Sequence, residues 1–216
     1  MDNPLPSKAV ALLRALWTQP SLIGPYVRYL PLWGRAPIAC EMPWVSFGAL
    51  AALSRFIRPD HAVFEYGGGG STLWFARRAA SVLTVESHPD WHRSLVATLQ
   101  ARGLAKAVCE LHPISSDDPA QSGHGAFFHR IRAQTWDIIL IDCYCGFSHS
   151  RYGQLRPFAF EHAVQQLKPG GIIVLDDSWM FPELLGPRPG WVVTDYVSPG
   201  PCRYGITSTA ILQSPC

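Results

Sequence analysis

The run Val63-Phe64-Glu65-Tyr66 leads into Gly67-Gly68-Gly69-Gly70 and then Ser71. Glycines let a backbone turn sharply and approach a ligand closely, and the first N–H groups of a following helix have no partner within it. Glu65 stands in the apolar run just before the turn. Glu86 closes the next apolar run, 19 residues beyond Gly67. A carboxylate so placed can hold both hydroxyls of a ribose. The chain has only six glutamates, so two in these positions carry weight.

A second constellation is Asp142, Asp176 and Asp177. Asp142 follows the apolar run ending at Ile141, and the other two follow Ile172–Leu175. If both runs are parallel strands, the three carboxylates converge at the carboxyl edge of a sheet, where open α/β folds bind ligands. Crowded carboxylates repel, and call for protonation or a cation. Oxygen donors of this kind suit Mg²⁺ or another hard divalent ion. The plainer alternative has Asp177 capping a helix from Ser178 and Asp142 only touching a ligand. His149, in Ser148-His149-Ser150, is one of eight histidines and follows the run ending at Ile141; an imidazole exchanges a proton near neutral pH.

These residues need a scaffold of alternating strands and helices. Short apolar runs at 62–66, 81–85, 107–111, 137–141 and 172–175 read as strands. Helical patterns separate most of them, at 71–80, from Pro89 to a cap at Gly103, and at 156–167. That rhythm implies an α/β fold whose parallel sheet is covered on both faces. Lys168-Pro169-Gly170-Gly171 reads as a turn. Two closing runs, 191–196 and 206–212, are joined by a Pro/Gly loop and suit an antiparallel finish. Seven of the nineteen prolines precede Trp44, so residues 1–43 form a proline-rich helical N-terminal cap and 44–216 the main domain. Within the cap, Ser7 can start an amphipathic helix through Trp17, with Val10, Leu13, Leu16 and Trp17 on one face. A packing arm is the favoured reading of this region, ahead of a substrate lid.

Composition narrows the partners. Hydrophobic residues make up 48 % and charged residues 16 %, too apolar a balance for a disordered chain. Eighteen basic residues against sixteen acidic give a charge of +2. No basic run marks a nucleic-acid footprint. No apolar stretch approaches the roughly 20 residues of a membrane span, and no signal peptide is legible. The expectation is a cytoplasmic protein with reduced thiols. Cys143-x-Cys145 has no second Cys/His pair at zinc spacing.

The succession "FEYGGGGSTLWFA", "VESHPDW", "WDIILID" and "LKPGGIIVLDD", with "YGITSTAIL" at the end, resembles class I S-adenosylmethionine-dependent methyltransferases. More narrowly it is similar to the small bacterial-type group related to catechol O-methyltransferase. The resemblance covers roughly residues 43–213. It implies a Rossmann-like seven-stranded, mostly parallel sheet with an antiparallel last strand, and S-adenosylmethionine as cofactor. It assigns Glu65 to the methionine amino end, Gly67, Gly68, Gly69 and Ser71 to the methionine moiety, and Glu86 to the ribose hydroxyls. Ser116 and Asp117 become candidates for the adenine edge. Asp142 touches the cofactor and, with Asp176 and Asp177, holds a divalent ion that acidifies an acceptor hydroxyl. His149 stands where a catechol-type lysine base is absent. The implied reaction is O-methylation of a small molecule or sugar. A nicotinamide-dependent oxidoreductase fits less well, because its third glycine would fall at Thr72. A non-catalytic scaffold on the same fold is the other alternative.

Overall fold

The computed structural model describes residues 8–114, 125–143, 152–201 and 204–216, without the side chains of 152–154. The seven expected apolar runs form seven strands: β1 (Ala62–Tyr66), β2 (Ser81–Glu86), β3 (Ala107–Leu111), β4 (Trp136–Ile141), β5 (Leu167–Asp176), β6 (Val192–Ser198) and β7 (Thr207–Gln213). They make one sheet in the order β3-β2-β1-β4-β5-β7-β6. All neighbours pair in parallel except β7, which runs antiparallel to both β5 and β6.

Before the sheet come α1 (Lys8–Thr18), α2 (Ile23–Tyr29), α3 (Pro37–Cys40) and α4 (Phe47–Phe56). Between strands lie α5 (Gly70–Ala76), α6 (Pro89–Ala101), α7 (Ala126–His129) and α8 (Tyr152–Gln166). Local chemistry sets several boundaries. The Ser46 hydroxyl accepts the Ala49 N–H, 3.3 Å away, and so caps α4. Pro89 fills the first helical position of α6, where its missing N–H costs nothing. Gly103 follows that helix with φ +64°, the left-handed turn glycine permits.

Side chains alternate along the strands, so the sheet has an apolar core on each face. Phe64, Tyr66, Ile139 and Ile141 pack with Phe128, Ala159 and Phe160 of α7 and α8 on one side. Val63, Ile138, Leu140 and Val174 pack with Leu50, Leu53 and Trp74 of α4 and α5 on the other. The N-terminal segment joins the second core through Leu12 and Tyr26. Glu41 reaches from it to Arg77 and to Arg102, the latter at 2.7 Å. No helix among the described residues is long and apolar enough to cross a membrane.

Three local expectations change. In α1 the buried residues are Ala11 and Leu12, while Val10, Leu13 and Trp17 face outward. The helix is apolar on both sides, so periodicity alone does not say which side packs. The Lys168–Gly171 segment belongs to β5 rather than to a turn. The Gly170 N–H bonds Pro215 O at 2.8 Å and the Ser214 N–H bonds Gly171 O at 3.0 Å, so the chain end extends the ladder past Gln213. Asp177 precedes a 3₁₀ turn, Ser178–Met180, but its side chain does not cap it.

Candidate active site

The strand order reverses direction at β1. The chain steps outward through β2 and β3, then returns to place β4 and β5 on the other side. Ligands bind at such a switch point, outside the carboxyl ends of the strands. The register aligns those ends: Tyr66 pairs with Val85 and with Ile141, and Ile141 pairs with Leu175. Gly67, Glu86, Asp142 and Asp176 therefore stand in one row, each a residue beyond its pairing. A cavity of about 660 Å³ opens on that row.

The glycine turn forms the floor. Gly67 has φ +86°, and a Cβ there would stand 2.7 Å from the Asp142 carbonyl oxygen. Only glycine lets β1 and β4 end so close together. A Cβ at Gly69 would meet only Pro37 and Trp91, both at 3.8 Å, so the space above it is open. Gly70 does something different: its Cβ would run into the carbonyl oxygens of Pro37 and Met42. It is the place where the N-terminal segment lies on α5. Helix α5 starts at Gly70, one residue before the expected start, and the Thr72 hydroxyl, not Ser71, accepts the Gly69 N–H at 3.1 Å.

Glu86 lines the cavity and its carboxylate is held by backbone N–H donors. Oε2 accepts from Gly68 at 3.1 Å, and Oε1 accepts from Ser87 and His88 at 2.8 and 2.9 Å. Glu65 lies wholly buried and does not line the open space. Its Oε2 accepts the Thr84 hydroxyl at 2.7 Å, while Oε1 has no hydrogen-bond partner. Burial pushes its carboxyl up to about 7, against the opposing pull of the Ser71, Thr72 and Thr84 hydroxyls, of which Ser71 and Thr72 stand near the carboxyl without bonding Oε1. An unmatched buried oxygen is costly unless something arrives to bond it.

The three aspartates do converge on the cavity. Among them sits Arg156 of α8, with no exposed surface at all. Its Nη2 is 2.8 Å from Asp142 Oδ1 and its Nη1 3.9 Å from Asp177 Oδ2. Nη1 also donates to the Asp176 carbonyl, and Nε to the Cys143 carbonyl at 3.4 Å. The Asp176 carboxylate accepts the Thr209 hydroxyl at 2.9 Å, and that of Asp177 the Thr207 hydroxyl at 3.2 Å. Burial pushes the neighbouring Cys143 thiol up to about 12, which removes it as a nucleophile at neutral pH.

Comparison with known proteins gives fold-level likeness only. No protein-family model and no curated protein matches the chain. Among solved structures, a proposed O-methyltransferase from Klebsiella pneumoniae superposes with TM-score 0.60 at 17 % identity, covering 97 % of this chain and 99 % of that one. The O-methyltransferase TomG of Streptomyces achromogenes, solved with S-adenosylmethionine, gives 0.58 at 16 % over 98 % and 100 %. An rRNA methylase from Streptococcus thermophilus gives 0.55 at 11 % over 75 % and 92 %. The chain has the class I methyltransferase fold.

On the methyltransferase fold, the sequence-assigned Gly67, Gly68, Gly69, Ser71, Glu86, Asp142, Asp176 and Asp177 all line one cavity, and Glu65 lies buried beside it. Ser116, Asp117 and His149 fall outside the described residues. The aspartates already have partners on the chain itself. Arg156 already supplies the positive charge between Asp142 and Asp177, and the carboxylates of Asp176 and Asp177 accept threonine hydroxyls. Among the described residues no three His, Cys, Asp or Glu side chains are grouped to hold a metal.

Sequence reasoning missed Arg156 and the contributions of Pro37, Met42 and Trp91 to the cavity wall. Arg156, Ala159, Phe160 and Ala163 stand at i, i+3, i+4 and i+7, and all four are buried. The stripe is legible in the sequence, but an arginine at its end ordinarily extends to solvent, so its burial is not. Pro37, Met42, Trp44 and Trp91 wall the cavity; Trp91 Nε1 donates to the Gly68 carbonyl at 2.5 Å. The N-terminal segment is thus both packing and cavity wall.

Proposed function

We propose that the protein is a methyltransferase that moves the methyl group of S-adenosylmethionine to a hydroxyl of a small molecule or sugar, without a metal. The observation that carries this reading is the pairing of Glu65, whose buried Oε1 lacks a donor, with Glu86, whose carboxylate is oriented at the cavity rim. An ammonium group supplies the donor Glu65 lacks, and ribose hydroxyls suit Glu86. Bound S-adenosylmethionine supplies an electrophilic methyl carbon on a sulfonium, so that one S–C bond breaks as one O–C bond forms. The chain's own contribution is to hold both partners in line and exclude water. Asp142 is the carboxylate this reading sets against the acceptor hydroxyl, fixed in place by Arg156. His149, seven residues further along the sequence, is assigned as the base that takes the hydroxyl proton. The apolar wall of Pro37, Met42, Trp44 and Trp91 favours an acceptor with an apolar or ring face over a polyanionic one.

Calorimetric titration with S-adenosylhomocysteine tests the cofactor. Micromolar binding by the wild-type protein that Glu86→Ala abolishes is expected. A folded protein that binds NAD⁺ but not S-adenosylhomocysteine would establish the oxidoreductase reading instead.

A further inference from the structure

We propose that the outer face of α1 and α2 is a docking surface for an anionic lipid bilayer, on which these helices lie flat without spanning it. Trp17 is 85 % exposed, Leu13 67 % and Val10 52 %. Their spacing puts them on one stripe of α1, opposite the packed Ala11 and Leu12. Ile23 and Val27 of α2, at i and i+4, and Leu30 just past its end are exposed as well. Five of the twelve large apolar side chains left exposed among the described residues are thus on these two short helices, and a sixth, Leu30, directly follows them. Burial in the protein core does not account for them, and large exposed apolar patches mark interaction surfaces.

Charge identifies the partner. Between Asp2 and Glu41 the sequence holds Lys8, Arg14, Arg28 and Arg35 and no acidic residue. The whole chain carries only +2. All four cations are exposed, and none forms an ion pair among the described residues. Glu41, the first acid after them, is committed to Arg77 and Arg102. An apolar stripe containing tryptophan, with Arg14 beside it at helical spacing and exposed basic but no acidic residues along the rest of the segment, matches the acyl-headgroup boundary of an anionic membrane. The apolar side chains enter, the cations stay at the phosphates, and indole suits the interface itself. A second copy of the chain suits this face less well, because symmetric pairing would set the cations of one copy against those of the other. With 11 and 7 residues, neither helix can cross a bilayer.

The test is flotation of the full chain with vesicles of phosphatidylcholine alone and of phosphatidylcholine with about one-quarter phosphatidylglycerol. The anionic vesicles should bind about tenfold more protein, and Leu13→Glu/Trp17→Glu should lower that binding by at least about tenfold. Raising the salt should release the wild-type protein. Circular dichroism and melting temperature should be unchanged in the double variant, since both side chains are exposed. Arg14→Glu/Arg28→Glu, which keeps the apolar stripe, should lose the preference for anionic vesicles. No vesicle binding, equal binding to both vesicles, or binding indifferent to Leu13→Glu/Trp17→Glu would overturn the proposal. So would a dimer, seen by sedimentation, that the same double variant dissociates, because the face would then belong to a second copy.

Discussion

The guanidinium of Arg156 lies 2.8 Å from Asp142 at the carboxyl edge of β4, although the two residues are 14 apart in sequence and on different elements. Arg156 is wholly buried, while the Asp142 side chain is about two-fifths exposed. One end of the pair therefore anchors in the core and the other presents a carboxylate to the cavity. Removing the cation from such a pair leaves buried carbonyls and a carboxylate without their donor. Arg156→Met should lower unfolding free energy by about 3 kcal/mol or more, read as a shift of the urea midpoint. Asp142→Asn, which removes the charge at the exposed end, should cost clearly less.

On the proposed metal-free reading, in which Arg156 supplies the positive charge between Asp142 and Asp177, metals should leave the protein indifferent. Millimolar Mg²⁺ and excess EDTA should neither shift the melting temperature nor change S-adenosylhomocysteine affinity. A clear stabilisation by Mg²⁺ that Asp142→Asn removes would show that the aspartates do bind a metal.

Glu65 makes both stability and ligand binding depend on pH. Its folded pKa of about 7 lies above the ordinary glutamate value of 4.5 because burial disfavours the ionised form. Between those values the folded state binds more protons than the unfolded one, so stability falls as pH rises through that window. The total fall is on the order of 3 kcal/mol. A ligand ammonium needs the ionised carboxylate, so affinity for S-adenosylhomocysteine should rise from pH 6 to pH 8. Glu65→Gln should flatten both dependences, as measured by denaturation and by calorimetry across that range.

Substitutions in the glycine turn should separate folding from binding. Gly67→Ala forces a side chain onto φ +86° and against the Asp142 backbone. It should destabilise by about 2–3 kcal/mol. Gly69→Ala places its methyl in ordinary contact with Pro37 and Trp91. That variant should keep nearly full stability yet bind S-adenosylhomocysteine more weakly, since the methyl narrows the cavity.

Gly70→Ala should act on the N-terminal segment. Its methyl cannot share space with the Pro37 and Met42 carbonyls, so the segment must lift from α5. Limited trypsin digestion should then cut more quickly at Arg14, Arg28 and Arg35 than in the wild-type protein. Cleavage at an unchanged rate would show that α5 yields instead.

Much of this protein was decided locally. The stretches 62–66, 81–85, 137–141 and 172–175 are short, mostly apolar runs because both faces of the central sheet are covered, and that pattern is readable without coordinates. Gly67, Glu86, Asp142 and Asp176 come at the ends of those runs, so a parallel sheet has to bring them to one edge. Tertiary structure alone decided which side of α1 packs, because Val10, Leu13 and Trp17 are as apolar as Leu12 and only the second core selects between them. It also decided that Gly70 serves the N-terminal segment while Gly69 faces the cavity, since a run of four glycines has no side chains to tell them apart. The neighbours of the aspartate cluster depend on tertiary structure in the same way. Three carboxylates at strand ends call for a cation whatever its nature. Only the packing of α8 against the sheet, with Arg156 at the head of its buried stripe, brings a cation of the chain itself to Asp142 and Asp177.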